Sequence, residues 1–89
     1  MKIKEGYVAN KLGDRTVVVA VGKESLNFSG IIRLNGTGDF IWNLLQQECE
    51  EKQIVEELMG KYGIEQARAE EDVRRFLGIL RNAGVLDEE

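Results

Sequence analysis

The sequence contains no histidine, no proline and a single cysteine in 89 residues. Each absence excludes something. Without histidine the chain lacks the commonest general base and the commonest metal ligand. With Cys49 alone, no internal disulfide and no cysteine-based metal cluster can form. The acidic run Glu48-Cys49-Glu50-Glu51 is expected to raise the thiol pKa, so Cys49 is a poor nucleophile, read as a loop or helix-end residue. Aromatic residues are sparse: three Phe, two Tyr and one Trp. No apolar run approaches the ~20 residues of a membrane-spanning helix. Met1-Lys2-Ile3-Lys4-Glu5-Gly6 lacks the apolar stretch of a signal peptide. The expected setting is cytoplasmic, with no membrane partner.

What is present suits one small globular domain over residues 1–89, with 43% hydrophobic and 31% charged residues. The net charge of −4 is unevenly placed. Residues 1–47 hold six basic and four acidic side chains, whereas residues 48–89 hold six basic and twelve acidic ones. Nucleic-acid binding needs a concentrated basic face, and the second half has the wrong sign.

The first half reads as β. Tyr7–Leu12 is a short, partly alternating strand, and Gly13-Asp14 is a turn. Arg15–Val21 is the strongest β-branched run and completes a hairpin. A third strand is expected from about Asn27 to Leu34. Phe28, Gly30, Ile32 and Leu34 share one face; Ser29, Ile31 and Arg33 share the other. Strands in sequential order leave this third strand at an edge, with free backbone donors and acceptors able to take another strand.

The second half reads as α. A helix from Thr37 or Gly38 to Gln47, with Thr37 as N-cap, carries the stripe Phe40, Ile41, Leu44 and Leu45, flanked by Trp42. A second spans Glu51–Tyr62, and Gly63 ends it. A third runs from Gln66 to Asn82 on Ala69, Val73, Phe76, Leu77 and Leu80, with Val85-Leu86 folding back beyond Gly84. The expected fold is therefore α+β, a three-stranded antiparallel sheet followed by three helices (βββααα), in a winged helix-turn-helix-like arrangement.

Gly36-Thr37-Gly38 lacks the lysine and glycine spacing of a phosphate loop and reads as a strand-to-helix turn. The carboxylates fall on solvent faces and helix starts. No catalytic set, metal set or cofactor site emerges, and the chain is read as no enzyme. Arg74, Arg75 and Arg81 either form a partner-facing patch or pair with Glu70 and Glu71 at helical spacing. Arg68 and these arginines alternate with Glu65, Glu70, Glu71 and Asp72, which argues against a DNA-reading third helix.

The central motif Leu34-Asn35-x-Thr37-Gly38-x-x-Ile41-Trp42-x-Leu44-Leu45 resembles the signature of the PqqD-like family. Ile54-x-x-x-Leu58, Tyr62-x-Ile64 and Asp72-Val73-x-x-Phe76-Leu77-x-x-Leu80-x-x-x-Gly84-Val85-Leu86 match in the same order, so the resemblance covers roughly residues 7–87. It implies a peptide-recognition domain for ribosomally made, post-translationally modified peptides. Such a domain binds the leader segment of a precursor peptide as an extra strand between the third strand and the third helix. It then presents the precursor to a maturation enzyme, often a radical SAM protein. Carried over by position, the strand side is Ser29, Gly30, Ile31, Ile32, Arg33 and Leu34; the helix side is Asp72, Val73, Arg75, Phe76 and Ile79.

There are two departures. Members acting in pyrroloquinoline quinone synthesis commonly carry a Tyr-Pro-Glu-like stretch before Leu-Asn. Here Phe28-Ser29-Gly30-Ile31-Ile32-Arg33 stands in its place, which favours a related pathway serving another peptide. The second helix starts on Glu50 or Glu51 where relatives often have a threonine cap. A winged-helix adaptor for another protein and a DNA-binding regulator are the alternative readings. The expected state is a monomer or weak homodimer, since a free edge can also pair with itself.

Overall fold

The computed structural model describes residues 1–22 and 32–88. Eight elements follow one another: β1 (Lys2–Ile3), β2 (Tyr7–Leu12), β3 (Arg15–Ala20), β4 (Ile32–Leu34), α1 (Gly36–Leu44), α2 (Glu51–Tyr62), α3 (Gln66–Ala83) and β5 (Leu86–Asp87). The expected α+β architecture is present, with the antiparallel sheet ordered β2-β3-β4 ahead of three helices. The first part of the expected third strand, including Ser29, Gly30 and Ile31, lies outside the described residues.

Alternation explains the sheet. Tyr7, Thr16, Val18, Ile32 and Leu34 are buried, while Val8, Asn10, Leu12, Arg15 and Arg33 point to the opposite, open face. Thr16 pairs with Leu34, Val17 with Arg33 and Val18 with Ile32. The β2–β3 turn contains Gly13 at φ 67°, a left-handed conformation that glycine adopts without Cβ strain.

The helices close over the buried face. Ala69, Val73, Leu77 and Leu80 of α3 form one fully buried stripe against Ile54, Val55 and Leu58 of α2. Full burial of each large side chain contributes roughly 1.5–3 kcal/mol. In α1 the buried stripe differs from the expected one. It is Gly38, Ile41 and Trp42, continued by Leu45, at i, i+3, i+4 and i+7. Trp42 is thus a core residue, while Phe40 and Leu44 are only partly buried. Phe40 instead meets Tyr62 of α2 edge-on, with ring centroids 5.9 Å apart. Tyr62 also donates its hydroxyl to the Gly36 carbonyl at 3.3 Å.

Two further features depart from the sequence reading. The chain ends form a second, two-stranded sheet in which Lys2 pairs with Asp87 and Ile3 with Leu86. This ribbon is anchored by Ile3 N–H to the Leu45 carbonyl and Lys4 N–H to the Val85 carbonyl, both 2.9 Å. The N-cap of α1 is Asn35, not Thr37: its Oδ1 accepts the Gly38 N–H at 2.7 Å. At the start of α2, the Glu50 N–H donates to the Gln53 side chain at 2.8 Å, so glutamate there still completes a reciprocal cap. No helix among the described residues is long and apolar enough to cross a membrane.

Candidate functional site

Among the described residues β4 is an edge strand: β3 lies on one side and no strand on the other. Backbone groups along such an edge are free to pair with an incoming chain. The wall facing this edge is α3. Arg33 and Leu34 of β4 line a cleft of about 360 Å³ together with Phe76 and Ile79 of α3. A second cleft, of about 240 Å³, shares Asn35, Phe76 and Ile79 and continues past Asp72, Arg75, Thr37 and Gly38. The two make one groove running from the end of β4 along α3.

The floor is set by a close approach. Gly38, buried at the third position of α1, leaves room for the Phe76 ring. A Cβ at this position would stand 3.0 Å from Phe76 Cε1 and 3.2 Å from Asn35 Oδ1. Phe76 is therefore seated against the capped start of α1. Ile79, one turn along α3, stays 47% exposed and offers an uncovered apolar surface within the groove. The groove's rim is polar. Arg75 pairs with Glu71 at 2.8 Å, and Arg68 approaches Asp72 at 3.9 Å, both at helical i,i+4 spacing. The two arginines that α3 presents to the groove are thus each set beside a carboxylate.

The residues marked from the sequence separate into three groups. Arg33, Asp72, Arg75, Phe76 and Ile79 are at least partly accessible and line the groove. Ile32 (9% exposed), Leu34 (7%) and Val73 (0%) point mainly into the core, so Ile32 and Leu34 can offer an incoming chain chiefly their backbone, and Val73 supports the wall from behind. Ser29, Gly30 and Ile31 lie outside the described residues. Sequence reasoning missed Arg15, Thr16, Asn35, Thr37, Gly38 and Arg68, which also line the groove. The Leu34-Asn35-x-Thr37-Gly38 signature held part of this signal, because the cap and the close approach require those residue types.

Other hollows lack this combination. The space of about 580 Å³ between α2 and α3 combines Val55 and Met59 with the mixed charges of Glu51, Lys52, Glu56, Glu70 and Arg74, but it lies between helices and offers no strand edge. The Cys49 thiol is pushed up from its ordinary pKa, chiefly by burial and then by Glu48, and it donates to the Leu44 carbonyl with Sγ 3.6 Å from the oxygen. It is a structural thiol beside the α1–α2 turn, where its N–H also donates to the Met1 carbonyl at 3.0 Å.

An open strand edge facing a partly apolar helix wall defines a fold able to accept an extended chain as an added strand. The family model for coenzyme PQQ synthesis protein D (PqqD) matches residues 15–86, and this chain belongs to that family. The solved structure of TbiB1 in complex with the TbiA(beta) leader peptide is similar over 100% of this chain and 98% of its own, with 27% identity and a TM-score of 0.79. A lasso peptide synthetase B1 complexed with the leader peptide aligns over 94% and 93% of the two chains, with a TM-score of 0.73; at 18% identity it shares the fold. No curated protein matches the chain.

Proposed function

We propose that this chain is a peptide-recognition domain for ribosomally made, modified peptides. It takes the leader segment of a precursor as an added strand on the open edge of β4, in the groove walled by α3. The observation carrying this reading is the edge of β4, unpaired among the described residues, beside Phe76 and Ile79. Main-chain bonds to the edge supply affinity, and pockets for alternate side chains supply selectivity. The similarity to two proteins solved with leader peptides supports the same reading. Residues 1–89 act together as one recognition domain, since the terminal ribbon ties both chain ends to the helical core.

The role is non-catalytic. Binding raises the local concentration of the precursor at a separate modifying enzyme and fixes its orientation. A radical SAM protein is the partner expected from the family resemblance. The departure before Leu34 favours a peptide other than the pyrroloquinoline quinone precursor.

The test is calorimetric titration with synthetic leader segments of precursors encoded beside this chain's gene, each N-methylated at one successive amide. A peptide paired to a strand edge turns alternate N–H groups toward that edge. Methylation should therefore weaken binding at every second position across the paired stretch. Uniform sensitivity, or the three-to-four-residue periodicity of a helix, would contradict the added-strand mode. Absence of binding by every such leader would remove the leader-recognition role and leave a docking adaptor.

A further inference from the structure

The charges around the groove are not equivalent. On α3, Arg68 and Arg75 are each engaged by a carboxylate one turn away. At the sheet end of the groove, Arg15 and Arg33 line the cleft that also holds Phe76 and Ile79, with no carboxylate among the described residues of its lining. Neither makes an ion pair among the described residues. The chain as a whole carries −4, so two guanidinium groups at one end of the groove without a carboxylate partner among the described residues stand out against the protein's own sign. They offer planar donors suited to a carboxylate.

The pleat then fixes where that carboxylate belongs. Along β4 the burial alternates: Ile32 and Leu34 turn inward, and Arg33 turns out. A strand paired beside β4 shares this alternation. Its residues opposite Ile32 and Leu34 turn toward the α3 side, where Phe76 and Ile79 wait. Its residue opposite Arg33 turns to the outer face and stands next to the Arg33 side chain.

Resting on the peptide-recognition reading, we infer that the bound segment is acidic as well as apolar. An Asp or Glu of the peptide sits against Arg33, supported by Arg15, at an odd separation in sequence from the apolar residue that enters the Phe76–Ile79 pocket. One or three residue steps satisfy the pleat; two or four place the carboxylate on the wrong face. The occupant is thus a segment of the form apolar-acidic or apolar-x-x-acidic, in either direction of the chain.

Random-peptide display selection against the full chain tests this, followed by affinity measurement of enriched peptides on the wild type and on Arg33→Glu and Ile79→Asp variants, with circular dichroism confirming that each variant folds. Enriched peptides should carry Asp or Glu at odd separation from an apolar anchor. Arg33→Glu should weaken them about tenfold or more, and replacing the peptide acid by Lys should restore binding to that variant. Enrichment without an acidic position, acids at even separation, or indifference to Arg33→Glu in peptides that Ile79→Asp still abolishes would overturn the charge assignment while leaving the groove intact. Failure to enrich any peptide, or enriched peptides indifferent to Ile79→Asp, would overturn the groove reading together with the charge assignment.

Discussion

The sheet has two edges among the described residues, and only one of them faces a groove wall. The β2 edge runs over six residues from Tyr7 to Leu12 and exposes Val8 (41%) and Leu12 (63%). Of the β4 edge, Ile32–Leu34 lie among the described residues. By exposed apolar surface alone, β2 would be the stronger candidate for adding a strand. Yet β2 lines neither of the groove clefts, and it carries Lys11, a charge of the kind that discourages edge-to-edge pairing. The β4 edge is set beside Phe76 and Ile79 by the Asn35 cap and the Gly38 close approach. An unpaired edge gives main-chain affinity for any extended chain, but selectivity needs side-chain pockets next to it.

The largest expected effect separates the edges directly. Ile79→Asp should weaken peptide binding by roughly tenfold to a hundredfold, the scale of losing one buried Ile contact. Val8→Asp on the other edge should leave affinity unchanged. Fluorescence anisotropy of a labelled leader, with circular dichroism to verify folding, reads both. Equal losses would erase the distinction between the edges.

The next largest effect concerns the floor of the groove. Gly38→Ala improves helix propensity by up to about 1 kcal/mol, but its Cβ would press on Phe76 at 3.0 Å. Overpacking of this kind costs about 1–3 kcal/mol. Net destabilisation near ~1 kcal/mol is therefore expected in urea unfolding, together with weaker peptide binding as Phe76 is displaced. Unchanged stability and binding would mean that the Phe76 position is not set by this approach. Asn35→Ala should cost a comparable ~1 kcal/mol through the lost cap, whereas Thr37→Ala, outside the cap bond, should cost less.

The smallest effect is a control remote from both edges. Cys49→Ser should not alter peptide affinity. Its thiol should alkylate slowly at neutral pH, because burial raises its pKa and keeps the reactive thiolate scarce. Rapid modification by iodoacetamide would show the α1–α2 turn to be more open than the fold implies.

Much of this comparison is legible in the sequence. Tyr7–Leu12 and Glu51–Tyr62 have the boundaries their patterns predict, because Gly13 and Gly63 punctuate them with positive φ angles. The edge position of β4 followed from three strands in sequential order. The terminal ribbon was not legible: two-residue strands carry no periodicity, and Ile3 and Leu86 meet only when the whole chain is folded. The cap moved from Thr37 to Asn35 because both residue types can cap and local spacing does not choose between them. The buried stripe of α1 runs through Gly38 and Trp42, the Gly38 side lying against Phe76 of α3, a contact that local periodicity does not reveal. Arg15 escaped notice as a groove residue for a related reason. It belongs to the strand before β4 and reaches the groove only through the Thr16–Leu34 register.

The most direct test of the central claim is amide chemical-shift mapping of the full chain during titration with a leader peptide. The expected result is a contiguous set of perturbed amides over Ile32–Leu34 and along α3 from Asp72 to Ile79, with Tyr7–Leu12 unmoved. Perturbation centred on Tyr7–Leu12, or on Glu56 and Arg74 between α2 and α3, would contradict it.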